Sequence, residues 1–182
     1  MNRPARPEGW LATLALDCLW CHAGTRQGAT TERCSMANTI SSILCGKGHK
    51  VWSVPPDTTV YSAIALLAEK SIGAVLVVSE GTLLGIVSER DYARKVILQG
   101  RSSRETRVAE IMTADLITVT PETTIDESMN LMTHYRIRHL PVLDRGSLVG
   151  VVSIGDLVKA VIADQAHTIH QLHAYIGSKY PA

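Results

Sequence analysis

Residues 51–97 lie on residues 116–162 after a shift of 65 positions, without a gap, and 15 of the 47 aligned positions are identical. A chain built this way is confined to folds made of two like units. The shared positions include Val54 and Val119, Pro56 and Pro121, the pairs Thr58-Thr59 and Thr123-Thr124, Gly81 and Gly146, Gly85 and Gly150, Ser88 and Ser153, and Asp91 and Asp156. A shorter echo precedes each copy, Ile40-Ser41-Ser42-Ile43-Leu44 against Val108-Ala109-Glu110-Ile111-Met112, with three extra residues before the strand of the first copy.

Each copy reads as strand, helix, strand, strand, helix. Val51 to Val54 and Leu116 to Val119 alternate as short strands, and Pro56 or Pro121 ends each by removing a ladder donor. Threonines then cap a helix whose apolar face carries Val60, Ala63, Ile64 and Leu67, or Ile125, Ser128, Met129 and Met132. Val75 to Val78 and Leu83 to Val87 form a hairpin around Glu80-Gly81, as do Leu140 to Leu143 and Leu148 to Val152 around Arg145-Gly146. A last helix starts after Ser88 or Ser153 and buries Tyr92, Ala93, Val96 and Ile97, or Leu157, Val158, Val161 and Ile162.

The expected class is α/β of the α+β kind. One unit of about 60 residues buries too little surface to be comfortable alone, so two copies are expected to pack sheet to sheet about a pseudo-twofold axis. Two related clefts between the copies would then be the places for small molecules. The expected segments are a first domain at 38–100, a linker at 101–107, a second domain at 108–166 and a C-terminal helix at 167–182, after an unassigned extension at 1–35.

Composition excludes several classes of function. With 18 Lys and Arg against 17 Asp and Glu, the net charge of +1 gives no electrostatic footprint for nucleic acid. No apolar run approaches the ~18 residues of a membrane span, the longest candidate, Trp10 to Leu16, being stopped by Asp17. A soluble, cytoplasmic protein is expected. Cys18-Leu19-Trp20-Cys21-His22 has the spacing of c-type haem attachment, yet the aperiodic leader supplies neither a pocket nor a second axial ligand. Arg3 and Arg6 ahead of Trp10 to Leu16 suggest a secretory signal, but Asp17 interrupts its apolar region; an organelle transit peptide fits slightly better, with several arginines and few acids, and Met36-Ala37-Asn38 fits a natural start with the leader as an upstream extension, the preferred reading.

At the end of each hairpin stand Gly85-Ile86-Val87-Ser88-Glu89-Arg90-Asp91 and Gly150-Val151-Val152-Ser153-Ile154-Gly155-Asp156. Serine followed three residues later by an acid is a capping-box pattern. An aspartate at a helix start can also accept the two hydroxyls of a ribose, while nearby amides favour phosphate. One set of residues can serve both roles.

With these motifs the repeat resembles the cystathionine β-synthase (CBS) domain, and the pair resembles a Bateman module, over about residues 38–166. The resemblance implies binding of an adenosine-containing ligand such as AMP, ADP, ATP, NAD(H) or, less readily, S-adenosylmethionine, with no obligatory cofactor. It assigns ribose to Ser88, Asp91, Ser153 and Asp156, and the adenine pocket to Ser53, Val54, Thr118 and Val119. It assigns phosphate to Arg138 and His139, which stand ahead of Leu140-Pro141, with Arg136 nearby, and to Arg90 in the first motif. In related modules the basic pair of one repeat reaches the cleft holding the other repeat's aspartate. Gly73 and Ala74 replace Arg138 and His139, Gly155 replaces Arg90 and Ser71 replaces Arg136. Unequal sites follow, with a phosphate-bearing nucleotide at Asp91 and a charge-poor cleft at Asp156.

Other features carry less. Gly46-Lys47-Gly48-His49-Lys50 lacks the spacing of a Walker loop and reads as a solvated turn, and Arg101 to Arg107 reads as a solvated, charged linker. His167, His170 and His173 drift around a helix too far to share a metal, whereas Ile169, Leu172 and Ile176 form a docking stripe. Cys45 has no histidine and acid framework, so no catalytic constellation stands out and an enzyme is not expected. The expected function is a nucleotide-sensing regulatory module that acts on a protein target through a change of conformation or of a homodimer. The alternative is a non-catalytic interaction protein with vestigial clefts.

Overall fold

The computed structural model describes residues 38–48 and 50–179. Through them the chain runs α1 (Ile40–Lys47), β1 (Ser53–Val54), α2 (Val60–Lys70), β2 (Ala74–Ser79), β3 (Thr82–Ser88) and α3 (Glu89–Tyr92), the last continued by a π-helical stretch at Ala93–Ile97. It continues as α4 (Val108–Ile111), α5 (Ile125–Tyr135), β4 (His139–Asp144), β5 (Ser147–Ser153) and α6 (Ile154–Lys179). The leader residues singled out above, Cys18 to His22 among them, lie outside the described residues.

Both hairpins form as expected. Glu80 and Gly81 have φ of 50° and 79°, and Arg145 and Gly146 have 48° and 81°, the double left-handed geometry that matches the twist of a tight hairpin. Threonine caps also hold: Thr59 Oγ1 accepts from the Ser62 amide at 3.3 Å, and Thr124 Oγ1 from the Glu127 amide at 3.2 Å. The inner face of α2 buries Val60, Ala63 and Leu67, and that of α5 buries Ile125, Ser128 and Met132.

The first strands are shorter than expected, for a local reason. In the first copy Ser53 and Val54 pair in parallel with Leu76 and Val77, and the Leu76 amide donates to the Trp52 carbonyl at 3.2 Å. The position matching Leu76 in the second copy is Pro141, which has no amide to donate. There the expected strand shrinks to one bridge, Val119 to Val142, and β4 and β5 stand as a two-stranded sheet.

The helices after the motifs also depart from expectation. Only Val96 and Leu157 of their apolar sets are fully buried, while Ile97 and Ile162, equivalent positions, are 56% and 61% exposed. Gly100, with φ of 64°, follows the end of the first of these helices, as glycine commonly does. Its counterpart is Gln165, and α6 runs on without a break to Lys179, joining the expected last helix of the second copy to the expected C-terminal helix.

The described residues divide into two units, residues 50–115 and residues 38–48 with 116–179. The leading helices are therefore exchanged relative to the sequence segments. Helix α1 packs with the second copy: the Ile40 amide donates to the Thr123 carbonyl and the Ser41 amide to the Pro121 carbonyl, both at 2.9 Å. Helix α4 packs with the first: the Val108 amide donates to the Thr58 carbonyl at 2.8 Å and the Ala109 amide to the Pro56 carbonyl at 2.9 Å. The segment 101–107 is likewise more than a solvated linker. The Thr106 and Ser103 carbonyls accept from the Val60 and Tyr61 amides that open α2, and Arg101 pairs with Glu110.

Each exchanged helix meets the recurring glycine of its unit. A Cβ at Gly85 would stand 2.9 Å from the Met112 sulfur and 2.9 Å from the Thr113 carbonyl oxygen, whereas one at Gly150 would stand 2.7 Å from the end of the Leu44 side chain. A side-chain tip yields more readily than a hydrogen-bonded backbone. Gly85→Ala is therefore expected to destabilise by about 2–3 kcal/mol and Gly150→Ala by about 1–2 kcal/mol in denaturant titrations; the reverse ranking would contradict this packing.

Candidate functional site

Strands β3 and β5 deliver Ser88 and Ser153 to the starts of α3 and α6, where each serine meets the aspartate one turn on. The Ser88 amide and hydroxyl donate to Asp91 Oδ2 at 3.1 and 2.6 Å, and the Asp91 amide donates back to Ser88 Oγ at 3.3 Å. In the second unit the same three bonds measure 2.8, 2.8 and 3.3 Å. The capping role is thus real in both copies, and it consumes one carboxylate oxygen of each aspartate.

The two corners differ in what reaches the rest of the carboxylate. Lys95 Nζ lies 2.9 Å from Asp91 Oδ1 and also donates to the Ile111 carbonyl at 2.7 Å, while Thr113 Oγ1 approaches Oδ1 at 3.5 Å. In the second unit Lys47 Nζ, from α1, lies 2.6 Å from Asp156 Oδ2 and donates to the Val151 carbonyl at 3.2 Å. Among the described residues nothing donates to Asp156 Oδ1. An acceptor left open beside a helix start suits a ligand hydroxyl.

Burial works to raise both carboxyls, but the bonds around them prevail. The Ser88 hydroxyl and Lys95 hold Asp91 below the ordinary carboxylate range, and Lys47 with Ser153 does the same for Asp156. Both are anionic at neutral pH. Each contributes stability that is present above the ordinary value of 3.8 and is lost as pH falls through the lowered folded value.

Of the basic residues assigned to phosphate, His139 joins the second corner. It opens β4 in register with Ser153, and its imidazole is pushed toward the neutral form by burial and by the Lys47 charge, against the pull of Asp156. Arg138 is exposed next to it, its carbonyl accepting the Ile154 amide at 2.9 Å. Arg136 is the left-handed C-cap of α5, with φ of 55°, and Arg90 is exposed on α3. A folded-state value below 6.5 for His139 means that stability falls as pH drops below about 6.5. His139→Gln is expected to flatten the pH dependence of the unfolding midpoint below about pH 6.5; an unchanged slope would contradict the burial of a neutral imidazole.

The residues assigned to adenine lie on the neighbouring backbone. Ser53 and Val54 are in register with Leu76 and Val77, two and three residues along β2 from Ala74, the partner of Ser88. Val119 bridges to Val142, three residues along β4 from His139, and Thr118 beside it is exposed. Val54 and Val119 commit their side chains to the two cores. Pro141 is buried in β4 opposite Val151.

Sequence reasoning missed Lys95, Thr113 and Lys47. Lys95 stands four residues after Asp91 on a helix, a spacing that announces an ion pair. Lys47 gave no such signal, because its contact spans 109 residues. The expectation of a solvated turn at Gly46 to Lys50 is corrected for Lys47, which is helical and paired with Asp156. Lys47 places beside Asp156 a positive charge that the sequence reading did not count. Among the described residues, no group of three His, Cys, Asp or Glu side chains is placed to hold a metal, and His167 bonds Gln171 at 2.7 Å. No described helix is long and apolar enough to cross a membrane.

A family model for the CBS domain matches residues 48–97 and 108–163. Over 154 residues, 79% of this chain and 74% of the relative, the sequence is 44% identical to the mitochondrial CBS domain-containing protein CBSX3 of Arabidopsis thaliana. Among solved structures it is similar to a protein with CBS domains from Burkholderia ambifaria, with 57% identity and a TM-score of 0.68 over 70% of this chain and 96% of that one. It is also similar to the CBS domain pair of protein MJ0100, solved in complex with 5′-methylthioadenosine and S-adenosyl-L-methionine, with 25% identity and a TM-score of 0.62 over 69% of this chain and 97% of that one.

Proposed function

The chain belongs to the CBS domain family, with two tandem copies, and from that premise we propose that it is a regulatory module which binds an adenosine-containing ligand and passes its state to a protein target. The observation that carries the reading is the duplicated corner, a serine and an anionic aspartate held at a helix start with a lysine beside them. The corner offers acceptors to a ribose, and lysine and exposed arginine to a phosphate. The adenosine compounds bound by the MJ0100 domain pair support the same ligand class.

The ligand is sought among AMP, ADP, ATP, NAD(H) and S-adenosylmethionine by thermal unfolding of the full chain, since a ligand that binds only the folded state raises the midpoint. A rise with one of them is expected; none with any, in protein freed of carried-over nucleotide, would overturn the reading. Arg138→Ala is expected to weaken a phosphate-bearing ligand by about 10- to 100-fold, the loss of one charge-assisted bond, while leaving adenosine unaffected. Equal losses for both would remove Arg138 from the phosphate role.

The readout is proposed to be a change of conformation or of a homodimer. Expression with a C-terminal fluorescent tag separates the cytoplasm from an organelle, and the mitochondrial name of the Arabidopsis relative supports the organelle. The second reading, an interaction protein with vestigial sites, draws on one observation: both oxygens of Asp91 are already engaged by the protein itself.

A further inference from the structure

Two equivalent carbonyls, Ile86 and Val151, stand two residues before the motif serines and are satisfied in different ways. The Ile86 carbonyl accepts the Thr113 amide at 2.9 Å, and the Ile86 amide donates to the Thr113 carbonyl at 3.0 Å, a closed backbone bridge. The Val151 carbonyl accepts from the side chain of Lys47 at 3.2 Å. The difference starts in the leading helices. Helix α4 stops at Ile111, so Met112 and Thr113 extend along β3; α1 carries on through Cys45 and Gly46, and the Lys47 side chain takes the place of that bridge.

From this the geometry points to a division of labour: the corner at Asp156 is the ligand-responsive site, and Lys47 is a releasable latch that couples ligand binding there to the docking of α1. This inference rests on the reading of the module as an adenosine binder. In the first unit the backbone bridge, Lys95 and Thr113 close the carboxylate, and a bridge with no side-chain rotamers has no easy way to let go. In the second unit no described residue donates to Asp156 Oδ1, and the only described side chain that ties α1 to this carboxylate is a lysine whose side chain is 41% exposed. An exposed pair of this kind shifts a population by only a factor of a few, so a ligand that competes for the carboxylate can displace it. Release frees the C-terminal turn of α1.

The test is hydrogen exchange of the full chain with and without AMP and, in parallel, S-adenosylmethionine, with binding followed separately by calorimetry. Bound ligand is expected to speed exchange of the amides from Leu44 to Lys47 several-fold. Lys47→Met is expected to show that faster exchange without ligand and no further response to it. Asp156→Asn, which keeps the capping acceptor, is expected to lose binding and the α1 response together. Ligand bound with α1 exchange unchanged would overturn the latch alone. Binding lost in Asp91→Asn and kept in Asp156→Asn would overturn the division of labour. Absence of binding by every adenosine ligand would overturn the underlying reading, and the latch with it.

Discussion

Leu44→Ala is expected to lower the stability of the unit formed by residues 38–48 and 116–179 by about 3–4 kcal/mol. Leu44 is 2% exposed and lies in the core with Ile40, Leu140, Val142 and Leu157. Its side-chain end sits against the bare backbone of Gly150, which has no side chain to move into a void, so the cavity would persist and the loss falls in the upper part of the usual range. The same change loosens the turn of α1 that carries Lys47. Urea denaturation measures the effect, and a loss below about 1 kcal/mol would mean that α1 is not part of this core.

Asp156→Ala is expected to weaken adenosine-ligand binding by about 100-fold or more. Two ribose hydroxyls donating to an anionic carboxylate form charged hydrogen bonds of at least about 1.5 kcal/mol each, and about 3 kcal/mol is two decades of affinity. Stability falls by only about 1 kcal/mol, the loss of one cap, so binding and folding separate cleanly. Asp91→Ala is expected to weaken binding less, since Lys95 and Thr113 already occupy its second carboxylate oxygen. Calorimetric titration of both variants checks the pair, and an affinity within threefold of the parent in Asp156→Ala would remove the ribose role.

Much of this was legible because duplication repeats local causes. Glycine recurs at 81 and 146 to hold a left-handed turn, at 85 and 150 to admit a leading helix, and threonine at 59 and 124 to cap. The serine and aspartate corner was readable for the same reason, as both bonds and cap close within three residues. What stayed hidden was the exchange of α1 and α4. Leu44 and Met112 are both apolar and both face a glycine, so neither side chain records which copy it docks on. Lys47 was hidden with it, since its role exists only after that exchange. Pro141 was visible, but its effect on the first strand depends on a bond seen only when Leu76 is found donating to Trp52.

Whether the Asp156 corner receives a ribose is decided by a crystal structure of the full chain grown with saturating AMP. The two ribose hydroxyls of AMP are expected within hydrogen-bond distance of the Asp156 carboxylate, with Lys47 turned away from it. AMP held with its ribose remote from both Asp156 and Asp91, or both corners empty at saturation, would remove the ribose role.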